Sequence, residues 1–113
     1  MQCTQKGPAM FGLEITVRVK PDKRQEFMQA FELLTRRESQ PSGCLTQSLF
    51  QKVGEPNVFL WFECWSASEL LEAYMQTDRF RTLLGAIRVL GALEELWRVD
   101  IKPLTDKRVG AAL

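Results

Sequence analysis

The stretch Phe59 to Trp65, FLWFECW, is apolar at every position except Glu63. Side chains along a strand alternate between faces, so Phe59, Trp61, Glu63 and Trp65 share one side while Leu60, Phe62 and Cys64 share the other. A half-buried strand alternates apolar with polar, whereas this one asks for cover on both sides. It also sets a carboxylate between two tryptophans. Turned toward a core, Glu63 would be a desolvated acid; turned the other way, it would be an ion-pairing partner for Arg18 or Arg98.

The flanking segments say what could supply the cover. FGLEITVRVK, from Phe11 to Lys20, alternates strictly and places Phe11, Leu13, Ile15, Val17 and Val19 on one face. Pro21 and Asp22 open a helix, with Asp22 the expected N-cap and Gln25 three residues on; Phe27, Ala30, Phe31 and Leu34 then follow helical spacing. Residues 44–52 read as a strand, and Gly54, Glu55, Pro56 and Asn57 as the turn into FLWFECW. SASE, from Ser66 to Glu69, has the form of a capping box, and Leu70, Leu71, Tyr74 and Met75 line a short helix. Thr77 or Asp78 restarts it, with Phe80, Leu83, Leu84 and Ile87 at helical spacing. Gly91 closes that segment, and Trp97, Val99 and Ile101 form the apolar face of a last strand, opposite Arg98 and Asp100.

The order βαββαβ predicts a ferredoxin-like α+β fold, a four-stranded antiparallel sheet with helices on one face. One domain over residues 11–103 is expected, with residues 1–10 and 104–113 as mobile tails. Helices on one face leave the other open. Two or three large aromatic side chains left wet there would forgo several kcal/mol, at about 25 cal/mol per Å². The expectation is therefore a homodimer through the helix-free sheet face.

Composition removes whole classes of chemistry. The chain has no histidine, which excludes imidazole as base, nucleophile or metal ligand. It carries neither G-x-x-x-x-G-K-[ST] nor G-x-G-x-x-G, so phosphate-cradle nucleotide binding has no support. Its 15 Lys and Arg nearly balance its 14 Asp and Glu and lie scattered, so no nucleic-acid or membrane footprint emerges. Three cysteines without C-x-x-C spacing fit a reducing compartment, and no long apolar run reads as a signal or a span; the expectation is a soluble cytoplasmic protein. A Cys44 to Cys64 disulfide is conceivable in a simple hairpin register.

The order of elements, the KPDKRQEFMQAF helix start, the E-x-W of Glu63 and Trp65, the acidic helix after it and Phe80 at the next helix start resemble the antibiotic biosynthesis monooxygenase family. Its members are dimeric α/β barrels that include cofactor-independent phenol-oxidising enzymes, quinol monooxygenases and haem-degrading enzymes. The resemblance runs from about Phe11 to Pro103 and implies a pocket between sheet and helices with Trp65 on its wall. It also shows departures. The histidine that the family often places nine residues past the Trp is here Tyr74. The haem-degrading Asn, Trp and His fall on Ile15, Trp65 and Leu84, without the iron ligand. The Asn and Tyr of the phenol-oxidising branch fall on Trp61 and Leu71.

Cofactor-free oxygenation needs a base to remove a phenolic proton and a dry aromatic pocket in which the anion meets O₂. Glu63 is the candidate base, raised toward neutrality by desolvation between two indoles. Tyr74 is a candidate for orienting a substrate oxygen. Trp65, Trp61, Phe80, Leu84 and Ile15 are the candidate substrate-binding residues, and no metal or cofactor is expected. Arg79, Arg81 and Arg88 read as a solvated helix face, with the binding of an anionic substrate by one of them as the alternative. The reading is a monooxygenase acting with O₂ on a phenol, quinol or related aromatic; the alternative is a non-catalytic dimeric small-ligand-binding or regulatory module.

Overall fold

The computed structural model describes residues 10–36 and 40–104. The expected tails, apart from Met10 and Leu104, lie outside the described residues. Strand β1 (Met10–Val19) leads through a 3-10 turn (Pro21–Lys23) into helix α1 (Arg24–Leu34), followed by the hairpin β2 (Cys44–Lys52) and β3 (Glu55–Trp65). Helices α2 (Ser68–Met75) and α3 (Asp78–Leu90) precede β4 (Gly91–Ile101). The sheet order is β2-β3-β1-β4, antiparallel throughout, which is the expected ferredoxin-like arrangement.

Alternation in β1 works as its sequence demands. Leu13, Ile15, Val17 and Val19 are buried and pack with Phe59, Trp61 and Trp65 of β3 against Phe27 of α1, Leu71 and Tyr74 of α2, and Phe80, Leu83 and Ile87 of α3. One layer between sheet and helices is thus the core. The β2–β3 turn needs a positive φ, and Gly54 supplies it at 87°.

Local signals fared unevenly. Thr77 caps α3, its hydroxyl accepting from the Phe80 N–H at 3.2 Å, as the restart predicted. Asp22 does not cap α1: Pro21 starts the short 3-10 turn first, and α1 begins at Arg24 with no side-chain cap bond. The SASE capping box does not form either, because α2 starts one turn position later, with Ala67 at the N-cap.

The last strand turns its apolar face away from the helices. Gly12 pairs with Val99 and Glu14 with Trp97, which turns Trp97, Val99 and Ile101 to the helix-free face and Arg98 toward α2, where it bonds Glu72 at 2.5 Å. Gly12 makes room for this: a Cβ there would stand 2.7 Å from Val99, 3.0 Å from Ile101 and 3.1 Å from Phe62. The helix-free face therefore gathers apolar side chains from β3 and β4 together. Trp97 is 56% exposed and Phe50 40% exposed, and a groove of about 440 Å³ runs past Phe50, Leu60, Thr16 and Glu14.

Candidate functional site

Pairing of β1 with β3 sets Leu13 opposite Glu63 and Ile15 opposite Trp61, so Glu63 lies on the helix side. Its side chain is wholly buried. The expected pairing with Arg18 or Arg98 does not occur, because Arg18 lies on the helix-free face and bonds Glu94 and Glu55, while Arg98 bonds Glu72. The carboxylate is held by neutral donors instead. Trp61 Nε1 donates to Oε2 at 3.0 Å, Trp65 Nε1 to Oε1 at 3.1 Å, and Gln47 Nε2 to Oε2 at 2.8 Å.

The geometry follows from strand periodicity. Trp61 and Trp65 stand two residues either side of Glu63 on the same face, close enough for both indole N–H groups to converge on one carboxyl. Gln47 arrives from β2, directly opposite Glu63. Burial raises the Glu63 pKa above the ordinary carboxylate value; the bonds from Gln47, Trp61 and Trp65 and the nearby Arg79 charge pull the other way without cancelling it.

Aromatic rings surround the acid. Tyr74 stacks on Trp65 with centroids 4.8 Å apart, Phe80 meets Tyr74 edge-on at 5.3 Å, and Phe31 meets Trp61 edge-on at 4.8 Å. Every residue expected from the sequence is in this layer: Ile15, Trp61, Trp65, Tyr74 and Phe80 are core residues, and Leu84 is partly buried against them. Burial, with the Glu63 charge second, pushes the Tyr74 hydroxyl pKa up.

Three polar neighbours complete the surroundings of the acid. Gln47 is the first. The second is Cys44, which a shifted register sets opposite Trp65 on the helix side rather than near Cys64; its thiol is free, so no Cys44 to Cys64 bridge forms. Burial, then the charge of Glu63, pushes that thiol up to about 12. The third is Arg79. Arg81 and Arg88 are exposed as expected, but Arg79 is half-buried, donates to the Leu34 carbonyl at the end of α1 at 3.0 Å, and places its charge near Glu63, Cys44 and Tyr74.

Phe31, Leu34, Cys44, Gln47, Leu49 and Arg79 are all half-buried and form a rim on the side of edge strand β2 and the end of α1. Chemically, the arrangement is a desolvated acid in an aromatic, water-poor setting with one cation at its edge. Among the described residues, no three of His, Cys, Asp and Glu stand together as metal ligands, and no helix is long and apolar enough to cross a membrane.

Comparison with known proteins gives consistent matches. The family model described as antibiotic biosynthesis monooxygenase matches residues 10–85. The chain is 32% identical over 72 residues to "Putative monooxygenase YcnE" of Bacillus subtilis, spanning 64% of this chain and 76% of that protein. It is 33% identical over 64 residues to the uncharacterized protein sll1783 of Synechocystis, spanning 57% of this chain and 44% of that longer protein. Among solved structures, a Bacteroides thetaiotaomicron protein of unknown function, described as a possible oxidoreductase, superposes with a TM-score of 0.70 at 26% identity, covering 84% of this chain and 100% of that one. A Caulobacter crescentus structure described as an antibiotic biosynthesis monooxygenase of putative assignment has a TM-score of 0.68 at 23% identity, covering 87% and 92%.

Proposed function

This chain belongs to the antibiotic biosynthesis monooxygenase family, and from that premise we propose that it oxidises a phenol, quinol or related aromatic with O₂, without a cofactor, using Glu63 as the base. One observation carries the reading: a wholly buried carboxylate held by two indole N–H groups and one amide inside an aromatic layer. A carboxyl kept only for structure would be simpler as an apolar residue, since burying it costs desolvation. A carboxyl whose pKa is raised holds an abstracted proton more firmly than an ordinary carboxylate, which suits it to act as a base.

In this reading the substrate ring enters at the half-buried rim and displaces Tyr74 or Phe31 from its indole. Glu63 takes the phenolic proton, the anion passes an electron to O₂, and the aromatic layer holds the radical pair until it recombines. Tyr74 orients the substrate oxygen; Trp61, Trp65 and Phe80 flank the ring, with Leu84 and Ile15 behind them; Arg79 stabilises the anion. The protein works as a homodimer, with Trp97, Phe50 and Leu60 of each helix-free face covered by the partner.

Oxygen uptake with hydroquinones, naphthols and anthrones, measured without added flavin or metal, tests the proposal. Turnover by the wild type and a loss of about 10²-fold or more in Glu63→Gln support it. Saturable quenching of tryptophan fluorescence without any oxygen uptake contradicts it and favours the alternative, a non-catalytic ligand-binding or regulatory dimer.

A further inference from the structure

The Glu63 cluster has one polar atom out of balance. Gln47 donates through Nε2 to Glu63 Oε2 at 2.8 Å, yet its own Oε1 is buried, with no donor among the described residues. A buried acceptor without a donor is destabilising. The two ends of the amide differ by a half-turn of its last torsion, so Oε1 can take the place of Nε2 beside the carboxyl with almost no movement of other atoms.

Charge state decides which end belongs there. An ionised Glu63 accepts only, and Nε2 must face it; a protonated Glu63 carries an O–H, and Oε1 must face it. The indoles of Trp61 and Trp65 donate in both cases, because an indole N–H cannot accept. Among the described residues bonded to the carboxyl, Gln47 alone offers both a donor and an acceptor. The remaining neighbours from each element are apolar Leu13 on β1, Cys44 on β2, Tyr74 on α2 and Arg79 on α3.

We propose that Glu63 and Gln47 form a two-position proton relay in which Gln47 is the positioning residue and its side-chain amide turns over each time Glu63 gains or loses a proton. The proton arrives on Oε2, from substrate in turnover or from solvent in the free protein, breaking one O–H bond and making another. No electrons move. The new O–H donates to Gln47 Oε1, Oε2 keeps a lone pair for Trp61, and Oε1 of Glu63 keeps Trp65. Gln47 Oε1 thereby gains a donor while Nε2 turns to the place it leaves, and the proton is held on a wholly buried carboxyl until it is handed back. The role in turnover rests on the reading of Glu63 as the base; the relay in the free protein does not.

The test is a pH titration of the substrate-free protein by NMR, following the side-chain carboxyl carbon of Glu63 and the side-chain amide of Gln47. The expected result is one common midpoint above the ordinary carboxylate range, with the Gln47 response absent in Glu63→Gln. A Gln47 amide that stays still through the Glu63 transition overturns the relay. So does a Glu63 carbon that remains a carboxylate at every pH at which the protein is folded. The wild-type titration decides by itself if Glu63→Gln does not fold. Because no turnover is measured, a failed relay with oxygen uptake intact leaves the proposed function standing, and the reverse outcome leaves the relay standing.

Discussion

Glu63→Gln should cost stability for a reason that can be traced to individual atoms. Three N–H donors converge on two carboxyl oxygens: Gln47 and Trp61 on Oε2, Trp65 on Oε1. The amide of the variant has the same size but only one oxygen. Gln47 can turn over to accept from the new NH₂ group; the indoles cannot. Whichever way the new amide is placed, one buried indole N–H faces another donor, at a cost of about 1–3 kcal/mol. Against a total of roughly 5–15 kcal/mol for a domain of this size, the variant should still fold. Urea unfolding should show a midpoint lower by on the order of 1 M with an unchanged slope. Adding Trp61→Phe or Trp65→Phe removes the stranded donor, so one of the two double mutants should be less damaged than the sum of its singles, by about 1–3 kcal/mol. A Glu63→Gln variant as stable as the wild type, or strict additivity in both cycles, would refute the described hydrogen-bond arrangement.

Two further outcomes follow from the same geometry. Because burial raises the folded pKa of Glu63, the folded state keeps its proton where the unfolded chain, at about 4.3, has lost it. Its contribution to stability is then full below the unfolded value and declines as pH rises toward the folded one; urea midpoints should fall across that window in the wild type and stay flatter in Glu63→Gln. Leu60→Glu places a charge in the groove of the helix-free face, beside Thr16 and Phe50, and should convert the sedimenting species from two chains to one while leaving the far-ultraviolet dichroism unchanged. A wild type that already sediments as one chain would remove the dimer.

The fold was legible because its signals are periodic. Strict alternation in β1, two-sided apolarity in β3 and helical spacing between Phe80 and Ile87 each survive errors of a residue at their ends. The face of β4 was not, since a shift of one residue exchanges the two sides of a strand, and the Thr16–Val17 irregularity against β4 makes such a shift. The candidate site divides in the same way. Two tryptophans flanking Glu63 at spacing two could be read directly, and so could their shared face. Gln47 could not be: Lys52 pairs with Glu55, and counting back from that pair sets Gln47 opposite Leu60, whereas a break between Gln51 and Lys52 sets it opposite Glu63. Arg79 was hidden for a different reason, as its anchor, the Leu34 carbonyl, is a backbone group at a helix end remote in sequence.

In the proposed reaction Glu63 takes a proton from a bound phenol before O₂ reacts. Mixing the protein with a phenolic ligand in the absence of O₂ stops the reaction after that step, so the ultraviolet band of the phenolate reports it alone. A phenolate band should appear on binding to the wild type and be missing in Glu63→Gln, which should still bind the neutral phenol. A phenol that stays protonated in the wild type, or that ionises equally in both proteins, would contradict the assignment of Glu63 as the base.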